Sequence, residues 1–292
     1  MSSPRELVNL NTEVFQTACV TKTQWASVFL VFKNFKPVNV GFKANGRYFT
    51  VFHGLFGQDL YRAPETSEMT NDEILDFINK DEFKSDEIGF YFPSTGGQYY
   101  TVKTKSGKYN FQPTYLDPGK DVAIFLPKTW EGKMIGTDFE GIPPSEWEAL
   151  TKEQLADAAN KFPSLKLATP EQLSKFKTQA NSGLTFGYDM ENWKSPTIYS
   201  INFSIQKGRF KGYLNDNVTT NYGFCGAPYF FGSGKSGYVA GMHHILVDGK
   251  DKNVWGIVLD KEEHIKDLYS HRFHKGCLSM SDRTPANATD VL

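Results

Sequence analysis

Gly223-Phe224-Cys225-Gly226 sets one thiol between glycines, in a turn that runs into the apolar segment Ala227-Pro228-Tyr229-Phe230-Phe231. A cysteine presented at a bend can attack an electrophilic carbon once a base takes its proton. Histidine suits that task because its pKa lies near neutral pH. Of His53, His243, His244, His264, His271 and His274, only His53 comes from the N-terminal half. Alone, His53 is an ordinary strand-end residue; paired with Cys225 it becomes a candidate base. A third group must hold such a base in one tautomer. Asp121 opens Val122-Ala123-Ile124-Phe125-Leu126, a run apolar on both faces. It is either a turn residue and strand cap, or an acid anchored in a low-dielectric neighbourhood. Cys225 alone also fits a buried structural thiol.

These side chains need a scaffold that brings distant segments together. Trp25 to Phe32 reads as a strand. Residues 38–44 and 47–53 flank Asn45-Gly46, a two-residue hairpin turn that accepts positive φ, which puts His53 at the end of the second strand. Residues 70–83 read as a helix, with a Thr70/Glu73 capping box and an apolar face of Ile74, Leu75, Phe77 and Ile78. Strand-like runs follow at 98–104 and 108–112, and Asp117-Pro118-Gly119 turns the chain into 121–127. Residues 136–178 change character. Ser145/Glu148, Thr151/Gln154 and Thr169/Gln172 match capping boxes, the last with Pro170 at the first helical position, so two or three short helices are expected. From 184 onward the runs 184–188, 197–205, 209–215, 227–231, 238–247 and 253–259 predict a small antiparallel barrel. Residues 261–275 read as a helix and 280–292 as a loose tail. The expected organisation is an N-terminal arm or helix (1–18), a first β-barrel (19–135), a helical connection (136–180), a second β-barrel (181–262) and a C-terminal helix and tail (263–292).

Composition narrows the function classes. The 292 residues carry a net charge of -1, which argues against nucleic-acid binding driven by bulk charge. Aromatics make up 15%, which suits β structure. The three cysteines, Cys19, Cys225 and Cys277, are far apart and form no C-x-x-C pair, so neither a zinc site nor a disulfide framework is indicated and a reducing compartment fits. The N-terminus has no apolar signal core, and Trp25 to Phe32 is far short of the about 20 residues of a membrane span. A soluble intracellular protein without metal or organic cofactor is expected. Adjacent His243 and His244 should point to opposite faces of a strand, which speaks against a shared metal. Gly234-Lys235-Ser236 reads as a hairpin loop rather than a phosphate loop, and Lys103, Lys105 and Lys108 as a small basic patch.

The pattern Gly-x-Cys-Gly at 223–226, followed by Gly241-Met242-His243 and preceded by His53 and Asp121 in that order, resembles the 3C-like cysteine proteases of picornavirus-like positive-strand RNA viruses. The resemblance covers about residues 20 to 260. It implies a mainly β, chymotrypsin-like double antiparallel β-barrel with helical insertions. Cys225 would be the nucleophile, His53 the general base and Asp121 the orienting acid. The backbone N–H groups of Gly223 and Cys225 would form the oxyanion hole. His243, with Thr220 and the Gly241 backbone, would receive the residue before the scissile bond, a glutamine or glutamate. The partners implied are a viral polyprotein substrate, host proteins as further substrates, and weak RNA binding with no assigned site, in the host cytoplasm. The chain departs from that family in three ways. The stretch between His53 and Asp121 is longer than is typical, His244-Ile245-Leu246 stands where small residues often follow the histidine, and 136–178 is long for a connection between barrels. Two alternatives stand beside the protease: a chymotrypsin-like enzyme of other specificity, and a catalytically silent β-barrel that binds RNA.

Overall fold

The computed structural model describes residues 20–56, 86–117, 120–134, 144–155, 163–190, 196–214, 223–247, 253–265 and 272–273. The expected N-terminal arm, the helix at 70–83, Thr220, Cys19, Cys277 and the C-terminal tail lie outside them. The chain is mainly β, as expected. One sheet of ten strands rolls into a half-barrel, and a second set of six closes into a barrel.

The first sheet contains β1 (Val28–Lys33), β2 (Lys36–Ala44), β3 (Arg47–Val51), β4 (Ile88–Phe92), β5 (Gln98–Lys103), β6 (Phe111–Asp117), β7 (Val122–Pro127), β8 (Gly132–Met134) and β9 (Glu148–Ala149). Its order is β6-β7-β3-β2-β1-β4-β5-β8-β9, and the later Arg272–Phe273 pairs in parallel onto β6. β1 is buried on both faces from Val28 to Phe32, which explains its unbroken apolar run. One face meets Tyr48, Phe90, Phe111 and Phe125 inside the roll; the other joins a core shared with the second barrel. The β2–β3 turn is the predicted one, with Asn45 and Gly46 both at positive φ.

The second barrel runs β10 (Asn181–Tyr188), β11 (Pro196–Gln206), β12 (Arg209–Leu214), β13 (Pro228–Phe231), β14 (Tyr238–Val247) and β15 (Asn253–Val258). All six fall on the segments predicted from turn spacing. The barrel closes in the order β10-β11-β12-β15-β14-β13, with Leu184 opposite Phe230 and Thr185 opposite Tyr229.

The connection between barrels acts as a strap. Asn45 N–H donates to the Leu165 carbonyl and Leu167 N–H to the Asn45 side chain, which pins the strap to the first hairpin. Ala168 N–H then donates to Val239 of β14. Helix α3 (Pro170–Thr178) follows with the Thr169/Gln172 capping box formed, and buries Leu173 and Phe176. The Thr151/Gln154 box is also formed, at 152–155.

Several local expectations fail for identifiable reasons. Trp25 is not in a strand; it ends the short helix α1 (Lys22–Trp25), capped by Thr21 and Gln24. Ser145/Glu148 forms no capping box, because Glu148 is drawn into β9 opposite Met134. Residues 261–275 are helical only at Lys261–Ile265 among the described residues, and Arg272–Phe273 is a strand covering the edge of β6. Strand β4 was not predicted. Gly89 interrupts its pattern, yet a side chain there would run into the Tyr99 ring on β5, so glycine is what lets the strands approach.

Candidate active site

His53 does not end β3. The chain leaves that strand at Val51 and winds into a five-residue helix, α2 (Phe52–Phe56), whose Phe52, Leu55 and Phe56 are buried. Those apolar anchors hold the turn down and leave His53 half-buried at the rim. Asp121 grips the same turn. Its backbone carbonyl accepts Phe52 N–H at 3.2 Å, its Oδ1 accepts His53 N–H at 2.8 Å, and its Oδ2 lies 2.6 Å from His53 Nδ1. Asp121 reaches this position with φ at 63°, in the left-handed region. That conformation costs roughly 1–2 kcal/mol for a side-chain-bearing residue, and aspartate tolerates it better than most. The acid is fully buried at the start of β7 (Val122–Pro127), where the alternating apolar residues of that strand enter the core.

With Nδ1 committed to Asp121, the rest of the ring is left for Cys225, whose thiol lies near enough to act on the imidazole electrostatically. Burial pulls the His53 pKa down, but the Asp121 charge and hydrogen bond, with the neighbouring Cys225, outweigh it and hold the imidazole well above its ordinary value. For Asp121 burial alone would favour the neutral acid. The His53 charge and hydrogen bonds from His244 and His53 reverse that and keep the carboxyl far below the usual carboxylate range.

Cys225 is the half-buried centre of a turn built by its two glycines. Gly223 and Gly226 adopt φ of 81° and 94°, which a side chain would resist. A Cβ on Gly226 would also strike the Val40 carbonyl oxygen. Gly226 N–H donates to the His243 carbonyl and His243 N–H to the Ala227 carbonyl, both at 2.7 Å, which welds the turn to β14. Among the described residues, neither the Gly223 nor the Cys225 amide has a hydrogen-bond acceptor. They are the pair expected to receive an oxyanion.

His243 is buried and packs its ring against Phe224, with Nδ1 2.9 Å from the Tyr229 hydroxyl. That hydroxyl also reaches the Trp255 carbonyl at 3.2 Å. Burial, with the charge of His244 second, pushes the His243 pKa down to about 3, so the ring is neutral at ordinary pH. At Gly241 a side chain would strike the Phe210 ring. The lysines at 103, 105 and 108 do not form one patch. Lys103 is buried with its ammonium on the Asp86 carbonyl, Lys105 lies over the Phe35 ring, and Lys108 pairs with Glu131.

Three participants escaped the sequence reading. His244 Nε2 lies 3.0 Å from Asp121 Oδ2. Asn39 is buried and donates from Nδ2 to Thr50 and toward the Cys225 carbonyl. Tyr229 holds His243. Only His244 had a signal, as a polar residue inside a strand with an apolar continuation. His53, Asp121 and His244 lie close enough together for a cation by distance alone. The 2.6 and 3.0 Å separations are each the length of an N–H···O bond.

No protein-family model matches the chain. A search of curated proteins also finds no match. Solved structures with a similar course of the chain include mouse-brain neuropsin, a serine protease, at 10% identity and TM-score 0.48, over 84% of this chain and 94% of that one. A human pathogenic astrovirus serine protease matches at 12% identity and TM-score 0.43, over 87% and 97%. Tobacco etch virus protease matches at 13% identity and TM-score 0.40, over 85% and 80%. Likenesses this distant carry no argument about chemistry, which rests on the side chains of this site.

Proposed function

We propose that the chain is a cysteine endopeptidase that cuts a viral polyprotein, and host proteins, after glutamine or glutamate in the host cytoplasm. The observation that supports it most is the hydrogen bonding of His53, by main chain and ring, to a buried Asp121, with Cys225 brought from the second barrel into the electrostatic neighbourhood of that ring.

In this mechanism His53 takes the Cys225 proton and the sulfur attacks the scissile carbonyl carbon. The carbonyl oxygen gains the negative charge and turns to the Gly223 and Cys225 N–H groups. When the tetrahedral species collapses, the C–N bond breaks and His53 gives its proton to the leaving amine. Water, deprotonated by His53, then splits the thioester and returns the thiol. Asp121 keeps Nδ1 protonated throughout and stabilises the imidazolium that forms.

Glutamine recognition is supported by the neutrality of His243. When the Tyr229 hydroxyl donates to Nδ1, Nε2 carries the proton and can donate to the glutamine carbonyl oxygen. When that hydroxyl turns to the Trp255 carbonyl, Nε2 accepts from the glutamine amide. Thr220, the other expected wall of this pocket, lies outside the described residues.

The deciding experiment uses Cys225→Ala. It should fold as the wild type by circular dichroism and lose all cleavage of a glutamine-containing peptide library; retained turnover would overturn the assignment.

A further inference from the structure

His244 stands on a β-bulge. In the pairing of β14 with β15, His243 faces Gly256 and Ile245 faces Trp255, so His244 is the extra residue with no partner opposite. The bulge turns its ring away from the barrel interior and toward the first barrel. There the ring is buried, with Nε2 3.0 Å from Asp121 Oδ2 and its centroid 6.2 Å from that of His53. Asp121 Oδ2 is the same oxygen that meets His53 Nδ1. One carboxylate oxygen therefore serves two imidazole N–H groups, one from each barrel. The titratable groups around His244 are Asp121 from the turn before β7, His53 from the short helix, Cys225 beyond it, and His243 beside it on its own strand.

We propose that His244 is a positioning residue of this site: by donating Nε2–H to Asp121 Oδ2 it fixes the carboxylate toward both rings and limits that carboxylate's hold on the His53 proton. An acceptor oxygen that already carries one charge-assisted bond offers less to a second donor. Asp121 alone, buried and fully charged, would bind the His53 proton so tightly that the base is rarely free near neutral pH. With His244 removed, Asp121 stays in place, because the Phe52 and His53 backbone N–H groups still hold it. Its charge then falls on His53 alone. Loss of the shared bond moves the His53 titration upward, and loss of any charge on His244 moves it the same way.

The proposal depends on the assignment of His53 as base only for its consequence for rate; its test reads the His53 proton directly and needs no cleavage. The titration midpoint of His53 is measured by NMR on histidine-labelled full-length Cys225→Ala protein, which removes coupling to the thiol. The same measurement is made with His244→Ala, His244→Asn and His244→Gln added. Glutamine extends an N–H to the reach of Nε2; asparagine does not. In the alanine and asparagine variants the His53 midpoint should rise by about half to one pH unit, roughly a three- to tenfold gain in proton affinity. In the glutamine variant it should return to within about a quarter unit of the parent. If one of the shorter variants fails to fold, the other decides. A His53 midpoint that is unchanged or lower without the donor would overturn the proposal, as would a glutamine variant displaced as far as alanine. A structural role alone would alter unfolding temperature and leave this midpoint where it was.

Discussion

The Val40 amide donates to the Cys225 carbonyl at 3.0 Å, so a strand of the first barrel holds the Cys225 turn of the second. Asn39 adds a side-chain bond toward the same carbonyl at 3.4 Å while its Nδ2 is anchored on Thr50. The two barrels therefore meet at the backbone of Cys225, the proposed nucleophile. His53 comes from the segment after β3, which pairs with β2, and β2 reaches across to the backbone of Cys225. Relative movement of the barrels would separate His53 from Cys225, and these bonds resist it.

Gly226→Ala tests that clasp. Its φ of 94° is hostile to a side chain, and the new methyl would collide with the Val40 carbonyl oxygen. Strain of this kind costs about 1–3 kcal/mol and the collision adds to it. Urea unfolding should show a loss of at least about 2 kcal/mol, and peptide cleavage should fall by tenfold or more in the folded fraction. Wild-type stability with wild-type turnover would show that the turn does not need this close approach.

Tyr229→Phe tests the glutamine pocket. It removes the hydroxyl that meets His243 Nδ1 and leaves the ring packed against Phe203 and Phe210. A lost hydrogen bond to a buried partner costs about 1–3 kcal/mol. The kcat/KM for a glutamine peptide should drop about tenfold or more, while alkylation of Cys225 by iodoacetamide keeps its rate. Equal loss in both measurements would mean that Tyr229 supports the nucleophile and not the pocket.

Acid should weaken the fold through His243. Its folded pKa is pushed down to about 3, against an ordinary value near 6.5. The folded state thus binds fewer protons than the unfolded chain, so stability is complete above about pH 6.5 and declines as pH falls toward 3. Asp121, also depressed, adds a loss at the acid end of this window. His53 acts in the opposite sense: its raised pKa contributes fully below pH 6.5 and is lost only as pH rises through the folded value. Urea midpoints measured from pH 7 to 4 should fall more steeply for the wild type than for His243→Gln, by up to about 1.4 kcal/mol per pH unit. Parallel curves would contradict a neutral, buried His243.

The second barrel was legible because its six strands are short, apolar and separated by glycine-bearing turns, so local pattern and final structure coincide. The same holds for Asn45-Gly46 and for the Thr169 cap, where the determining bonds lie within a few residues of one another. Where a distant partner decides, the sequence was silent or misleading. Gly89 makes sense only against Tyr99, and Glu148 leaves a capping pattern because β8 offers it a strand partner.

By itself, the chain's order of residues determined a turn that presents Cys225 between two glycines, one histidine available from the first half, and an acid at the head of a buried strand. Those features follow from backbone freedom, residue chemistry and short-range apolar pattern. Only the tertiary structure decided that Asp121 takes a left-handed conformation to hold His53 by main chain and side chain together. It also decided that a bulge turns His244 onto the same oxygen, and that β2 clasps the Cys225 carbonyl. Each of these joins groups far apart in sequence, and the free energy that joins them comes from packing two barrels into one core, which no local window of residues contains.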